Sequence, residues 1–235
     1  MKKIGIVGGV GWLSTVDYYS ELCRRSEQLQ QALEMSIESL DLNKALAYLG
    51  TDGDEESWSQ FDDYHRAALQ RLQASGAAFA IIASNTPHHR FASIVRGVQI
   101  PVLSILDVTA KYCARLGATQ VLLLGTGQTM RSPIFRDEFA KHGVTASGPH
   151  DPPARAMTME LIAELQRGEL AGAAAKLTRI AKASLERPVV CLACTELPLA
   201  FPQHKTLTSF EYGGVMYINA TAVHIEAAFH LAAAT

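Results

Sequence analysis

The sequence predicts an α/β fold built as two similar lobes, with mostly parallel sheets flanked by helices and a cleft between the lobes. Three observations point there. Short apolar runs alternate with longer amphipathic stretches along all 235 residues, the pattern of strands and helices in turn. The strand candidates are near-continuous apolar runs rather than alternating ones, as expected when helices cover both faces of a sheet. Two segments also echo one another. KKIGIVGG near residue 3 resembles QVLLLGTG near residue 120, and AIIASNTPH near residue 80 resembles VCLACTELP near residue 190.

Taken in order, Lys3–Val7 is the first strand, followed by an amphipathic stretch over Thr15–Gln31. A helix over Ser57–Ser75 stops at Gly76, a good left-handed cap, before the strand Phe79–Ala83. Pro101–Ile105 reads as a strand, Leu106–Leu116 as a helix closed by Gly117, and Gln120–Leu124 as a strand. Helical patterns follow over Pro133–His142, closed by Gly143, then Thr158–Gln166 and Leu170–Leu185. Val189–Ala193 is the last clear strand, and Ala220–Ala232 the last helix. The echoes divide the chain into a first lobe of residues 1–105 plus 208–235, and a second of 106–207.

Composition narrows the class. Hydrophobic residues make up 48% and charged residues 19%, with 21 basic and 23 acidic side chains and a net charge of -2. No basic patch offers nucleic acid a handle, and runs such as VVCLAC are far short of a membrane span. MKKIGIVGG reaches Gly8-Gly9 too early for a signal peptide and reads as a strand. Cys23, Cys113, Cys191 and Cys194 read as free thiols, which sets the expectation of a reduced, cytoplasmic location.

The strongest chemical signal is a pair of strand-end motifs, Ser84-Asn85-Thr86 and Cys194-Thr195-Glu196. Ligands bind at the carboxyl ends of parallel strands. A helix amino terminus there would offer free amides and partial positive charge to a carboxylate. The same field is expected to lower the pKa of Cys194 and supply a thiolate base or nucleophile. The competing reading is a buried structural thiol.

IIASNTPHH and CLACTELPL resemble the two signatures of the aspartate/glutamate racemase superfamily, Cys-Asn-Thr or Thr-Asn-Thr and Gly-Cys-Thr-Glu. IGIVGGVGWLSTVDYY is similar to the glycine loop of its aspartate racemase branch. GTGQTMRSPIF resembles that branch's Gly-Thr-x-x-Thr-Met segment, and YINATAVHIEAA its Asp-x-Thr-x-x-His-Ala helix start. The matches are in order and span nearly the whole chain. The resemblance implies a cofactor-independent isomerase, a racemase of aspartate or glutamate that needs neither metal nor pyridoxal phosphate. Two groups would face opposite sides of the substrate Cα in the cleft, one removing a proton and the other returning one. Carried over by position, Cys194 is one and Ser84 the other. Asn85, Thr86 and Thr195 would bind the α-carboxylate, Glu196 would orient the site, and Val10, Gly11, Thr126 and Thr129 would line it. A small-molecule substrate and a homodimer are also implied, with no nucleic-acid or membrane partner.

The departures are specific. Ser84 stands where a second cysteine is usual, and a hydroxyl is a far weaker acid than a thiol. His88, four residues on, could approach it, although His88 and His89 read more simply as a solvated helix start. Val10 and Trp12 replace Met and Pro, Trp12 with the means to narrow the cleft. Asn219 replaces Asp. Lys44 and Arg131 are candidate partners for a side-chain carboxylate, or plain surface charges.

Other readings compete. Gly9-Val10-Gly11 followed by Ser14 imitates a dinucleotide fingerprint but lacks its spacing and its acid. Cys191-x-x-Cys194 imitates a redox motif, but on a strand the two side chains point to opposite faces. Arylmalonate decarboxylases need only the second-lobe cysteine, so a lone Cys194 suits them. A catalytically weakened binder of an amino acid is the non-enzymatic alternative.

Overall fold

The computed structural model describes residues 1–184 and 189–234. Nine strands, β1 to β9, are formed among them: Ile4–Gly8, Met35–Ser39, Phe79–Ile82, Val102–Leu103, Gln120–Gly125, Thr145–Ser147, Val189–Ala193, Ser209–Tyr212 and Val215–Asn219. The α-helices, α1 to α10, are Trp12–Gln28, Leu42–Ala47, Ser59–Ala74, Phe91–Ile94, Ile105–Arg115, Gly127–Arg131, Pro133–Ala140, Pro152–Gln166, Ala173–Ser184 and Ala220–Ala233. None of the described helices is long and apolar enough to cross a membrane.

The chain forms two compact units, Met1–Ser104 with Ala227–Thr235, and Ile105–Glu226. The first contains a parallel sheet of order β2-β1-β3-β4. The second contains a sheet of order β6-β5-β7-β9-β8, parallel except for the β8–β9 pair. The expected α/β class, with two mostly parallel sheets and helices, is thus the observed one, and the two echoes have a structural meaning. β1 and β5 hold equivalent places in their sheets, as do β3 and β7.

One boundary needs correction. Residues 208–226 were expected in the first lobe, but β9 pairs in parallel with β7, from Val189↔Met216 to Leu192↔Asn219. This pairing draws β8 and β9 into the second sheet, and only the end of α10 belongs to the first unit.

The strands are buried by alternation. In the second unit Leu122, Leu124, Val190 and Leu192 face α8 and α9 through Leu161, Leu165, Leu177 and Ile180. Val121, Leu123, Cys191 and Ala193 face the opposite way, against Ile105, Cys113, Phe135 and Phe139. Cys191 and Cys194 accordingly fall in different clusters, as strand geometry requires. In the first unit, Val7, Ala80 and Ile82 pack with Phe61, Leu69 and Leu72 of α3.

Helix ends follow local chemistry. Gly76, Gly117 and Gly143 take φ of 82°, 73° and 74°, the left-handed cap expected of them. α1 begins at Trp12 rather than Thr15. α8 begins at Pro152, six residues before Thr158, because Asp151-Pro152-Pro153 is a helix start with proline in the first turn. α9 begins at Ala173 instead of Leu170, and Leu185, its expected end, lies outside the described residues.

Candidate active site

In each sheet the chain leaves the first-formed strand to one side and returns on the other. The carboxyl ends of β1 and β3, and of β5 and β7, therefore flank topological switch points, where α/β sheets leave a crevice. The predicted site residues sit at these four strand ends.

In the first unit β1 runs into Gly8-Gly9-Val10-Gly11. Gly9 takes φ 86°, and a Cβ there would lie 2.2 Å from the Leu40 carbonyl oxygen, so no side chain fits. Its amide donates to Thr15 Oγ1 at 2.9 Å, which ties the loop to α1. Val10 is half-buried against the core, and Gly11 is the extended N-cap residue of α1. Beyond β3, Ser84 is half-buried. Asn85 is 4% exposed, and its Nδ2 is buried with no partner among the described residues. Burying an amide without a partner is costly. Thr86 opens a short 3-10 turn, Thr86–Arg90.

His88 is not solvated, contrary to expectation. It is fully buried, stacked on Phe91 with ring centres 5.2 Å apart, and its Nδ1 lies 2.9 Å from the main-chain oxygen of Ser84. It holds the Ser84 backbone through this bond. His89 is half-buried beside the Trp58 ring, with centroids 5.5 Å apart.

In the second unit Thr126 caps α6. Its Oγ1 accepts from the Thr129 amide at 3.3 Å and lies 3.1 Å from the Thr129 hydroxyl, which is itself buried. The Gly127 amide points at Met159 Sδ, 3.0 Å away. At the end of β7, Cys194 is buried and Thr195 half-buried. Cys194 Sγ donates to Glu196 Oε2 at 3.0 Å, and Thr195 Oγ1 donates to the same oxygen at 3.1 Å.

This geometry overturns the expected thiolate. Burial pushes the Cys194 thiol well up, and the Glu196 carboxylate pushes it further through its charge and as hydrogen-bond acceptor. The main chain at Glu196 and Thr195 offsets only part of this. The expected helix field is also weak. β3 and β7 lead into 3-10 turns of five and four residues, Thr86–Arg90 and Leu197–Ala200, rather than into long helices with a summed dipole. Cys194 rests as a protonated thiol hydrogen-bonded to a carboxylate.

Elsewhere the structure separates candidates. Lys44 and Arg131 are exposed, and Trp12 projects from the start of α1 with 66% of its surface exposed. Asn219 is fully buried; its Nδ2 donates to the Lys205 carbonyl at 2.8 Å, and its Oδ1 accepts from the Ala222 amide at 3.1 Å. Burial pushes the Cys113 thiol up to about 12 and that of Cys191 well up too, which suits packing rather than redox chemistry. Among the described residues Asp107, Glu138 and His142 bring ligand atoms within 4.8 Å of one another. Both carboxylates already face a lysine, Lys111 and Lys141, each at 2.7 Å. Thr15 and Arg90, which hold the two loops of the first unit, were not singled out from sequence.

The comparisons with known proteins agree with this layout. An aspartate racemase homologue from Pyrococcus horikoshii OT3 is 28% identical, with all of both chains covered and a TM-score of 0.80. A candidate Asp/Glu racemase from Yersinia pestis is 25% identical, again with all of both chains covered, at a TM-score of 0.83. An uncharacterized protein in the pnlA 3' region of Pectobacterium carotovorum subsp. carotovorum is 30% identical over 117 residues, 48% of this chain and 76% of its own. Residues 7–228 match the Asp/Glu/Hydantoin racemase family model. A match over nearly the whole length, on a sheet order that puts both signature motifs at switch points, means that the chain belongs to the Asp/Glu/Hydantoin racemase family.

Proposed function

We propose that the protein is a cofactor-independent racemase of an acidic amino acid, aspartate or glutamate, with Cys194 and Ser84 acting on opposite faces of the substrate Cα. The observation that carries this reading is the equivalence of the two motifs. Ser84-Asn85-Thr86 and Cys194-Thr195-Glu196 follow corresponding strands, β3 and β7, beside corresponding switch points.

The site residues divide the work. The buried Asn85 Nδ2, with no partner among the described residues, offers a donor to the α-carboxylate. Thr86 and Thr195 supply hydroxyls, and Val10, Gly11, Thr126 and Thr129 line the loops around the substrate. Cys194 begins as the acid. To remove a proton it must first pass its own to Glu196 Oε2, 3.0 Å away. The arriving α-ammonium group favours that transfer by placing positive charge near the sulfur. Ser84, without a thiol's acidity, limits the reaction on its own face. Homodimerisation and a reduced cytoplasmic location belong to the same reading; the four free cysteines support the second.

A decarboxylase of the arylmalonate type is the second reading, and one observation favours it. A protonated Cys194 is already the acid that such an enzyme uses to protonate an enediolate.

Proton NMR in deuterium oxide with each enantiomer of several amino acids, alongside chiral chromatography, tests both. Wild type, Cys194→Ala, Ser84→Ala and Ser84→Cys should be compared. Inversion and α-proton exchange lost in Cys194→Ala, with inversion faster in Ser84→Cys, are expected of the racemase. No exchange with any amino acid, but carbon dioxide released from an arylmalonate, would transfer the assignment to the second reading. Binding without either reaction would leave an amino-acid-binding protein.

A further inference from the structure

We infer that Arg90 is a positioning residue for the Ser84 face of the proposed reaction, locking the Ser84-Asn85-Thr86 turn onto α3 through a buried ionic clamp. The inference rests on the racemase reading for its consequence, and on the first unit's geometry for its existence.

Arg90 ends the 3-10 turn that Thr86 begins. Its side chain is only 9% exposed, and that of Asp62 on α3 only 7%. Arg90 Nη2 donates to Asp62 Oδ2 at 2.8 Å, while Nε is 3.2 and 3.3 Å from the two Asp62 oxygens. Nη1 donates to Glu55 Oε2 at 2.7 Å. The guanidinium carbon also lies 5.6 Å from the centre of the Trp58 ring, which is itself buried. Both carboxylates and the indole come from the start of α3 and the residues just before it. At the near end of the same turn, His88 bonds the Ser84 carbonyl oxygen. The turn is thus tied to α3 through Arg90 and to the Ser84 main chain through His88.

A buried ion pair is a poor device for stability alone, because desolvation cancels much of its attraction and apolar packing would do as well. What a forked guanidinium adds is direction. It fixes the angle and distance between turn and helix in a way a lysine or a methionine does not. That precision matters for a proton-transfer group, where a displacement of about 1 Å can cost about 100-fold in rate.

The test compares wild type with Arg90→Met, Arg90→Lys and Asp62→Asn, the milder two serving if the first folds poorly. Inversion and α-proton exchange with retention are followed in deuterium oxide, and amide hydrogen exchange is followed in the same proteins. For the enantiomer whose α-proton faces Cys194, exchange with retention reports that face alone, whereas inversion needs both faces. Arg90→Met is expected to slow inversion about tenfold or more at nearly unchanged KM. Exchange with retention should stay within about twofold, and Arg90→Lys should recover part of the loss. The amides of Asn85, Thr86, His88 and His89 should exchange faster, with β1 unaffected. Inversion and retention falling in equal proportion, or amide protection unchanged across 85–90, would overturn the clamp. If wild type shows no exchange with any amino acid, the racemase reading fails, and the amide measurement alone still decides whether Arg90 holds the turn.

Discussion

Cys194 Sγ and Glu196 Oε2 lie 3.0 Å apart across a two-residue step, the thiol donating and the carboxylate accepting. The bond joins the sulfur to a negative charge rather than a positive one, so the protein at rest holds an acid at this strand end. Removing the charge should release the sulfur. In Glu196→Gln the Cys194 thiol is expected to titrate at lower pH than in wild type, read from thiolate absorbance with Cys194→Ala as blank. Turnover should nevertheless fall, because the proton acceptor is gone. A thiol that titrates no lower in Glu196→Gln would refute the electrostatic account.

His65 gives the fold an acid sensitivity. It is fully buried on α3, its Nδ1 2.9 Å from the Phe61 carbonyl oxygen, and its Nε2 has no partner among the described residues. Burial lowers its pKa from 6.5 to about 4, against the smaller opposing effects of that bond and of Asp62. The unfolded chain therefore binds a proton that the folded chain refuses. Stability from this residue is whole above pH ~6.5 and is lost as pH falls towards ~4, by at most roughly 3 kcal/mol. Urea midpoints at pH 7 and pH 5 should differ more in wild type than in His65→Gln.

Gly9 is a steric requirement. With φ 86° and the Leu40 carbonyl in the way of any Cβ, the backbone itself must move to admit a methyl group. Gly9→Ala is expected to destabilise the protein by about 2 kcal/mol or more. It should also abolish turnover by displacing Val10 and Gly11. Equal urea midpoints for Gly9→Ala and wild type would contradict this.

Asn219 shows what an amide does that the family's usual aspartate cannot. It donates to Lys205 and accepts from Ala222 at once, both with its side chain fully buried. Asn219→Ala removes both buried bonds, the second of them the cap of α10. A loss of about 1–3 kcal/mol in urea denaturation is expected.

Much of this arrangement was legible in the residues. The buried central strands β1, β3, β5 and β7 are apolar almost throughout, so they stood out, and their echoes correctly forecast two equivalent sheets. The strands that escaped notice lie towards sheet edges or lack that signature. Met35–Ser39 is polar and partly exposed, and Thr145–Ser147 has three residues. β8 and β9 carried a readable signal, the Gly213-Gly214 pair between two alternating runs, with φ of 60° and 74° as a two-residue hairpin turn demands. Overlooking it misplaced residues 208–226. At the site, motif identity was visible, but protonation was not. The state of Cys194 depends on burial and on where the Glu196 side chain folds back, neither of which a strand-end pattern encodes. Arg90 was invisible for a similar reason, since its partners Asp62 and Glu55 lie 28 and 35 residues away in sequence.

The first unit takes its last residues from the far end of α10, where the Ala232 carbonyl accepts from the Lys2 amide at 2.8 Å. A ribosome makes Lys2 before Ala232, and the segment that forms the second unit lies between them. The first unit must therefore wait for the end of α10, while the second can close on its own contiguous segment, Ile105–Glu226. Of the two units, the one begun first is completed last.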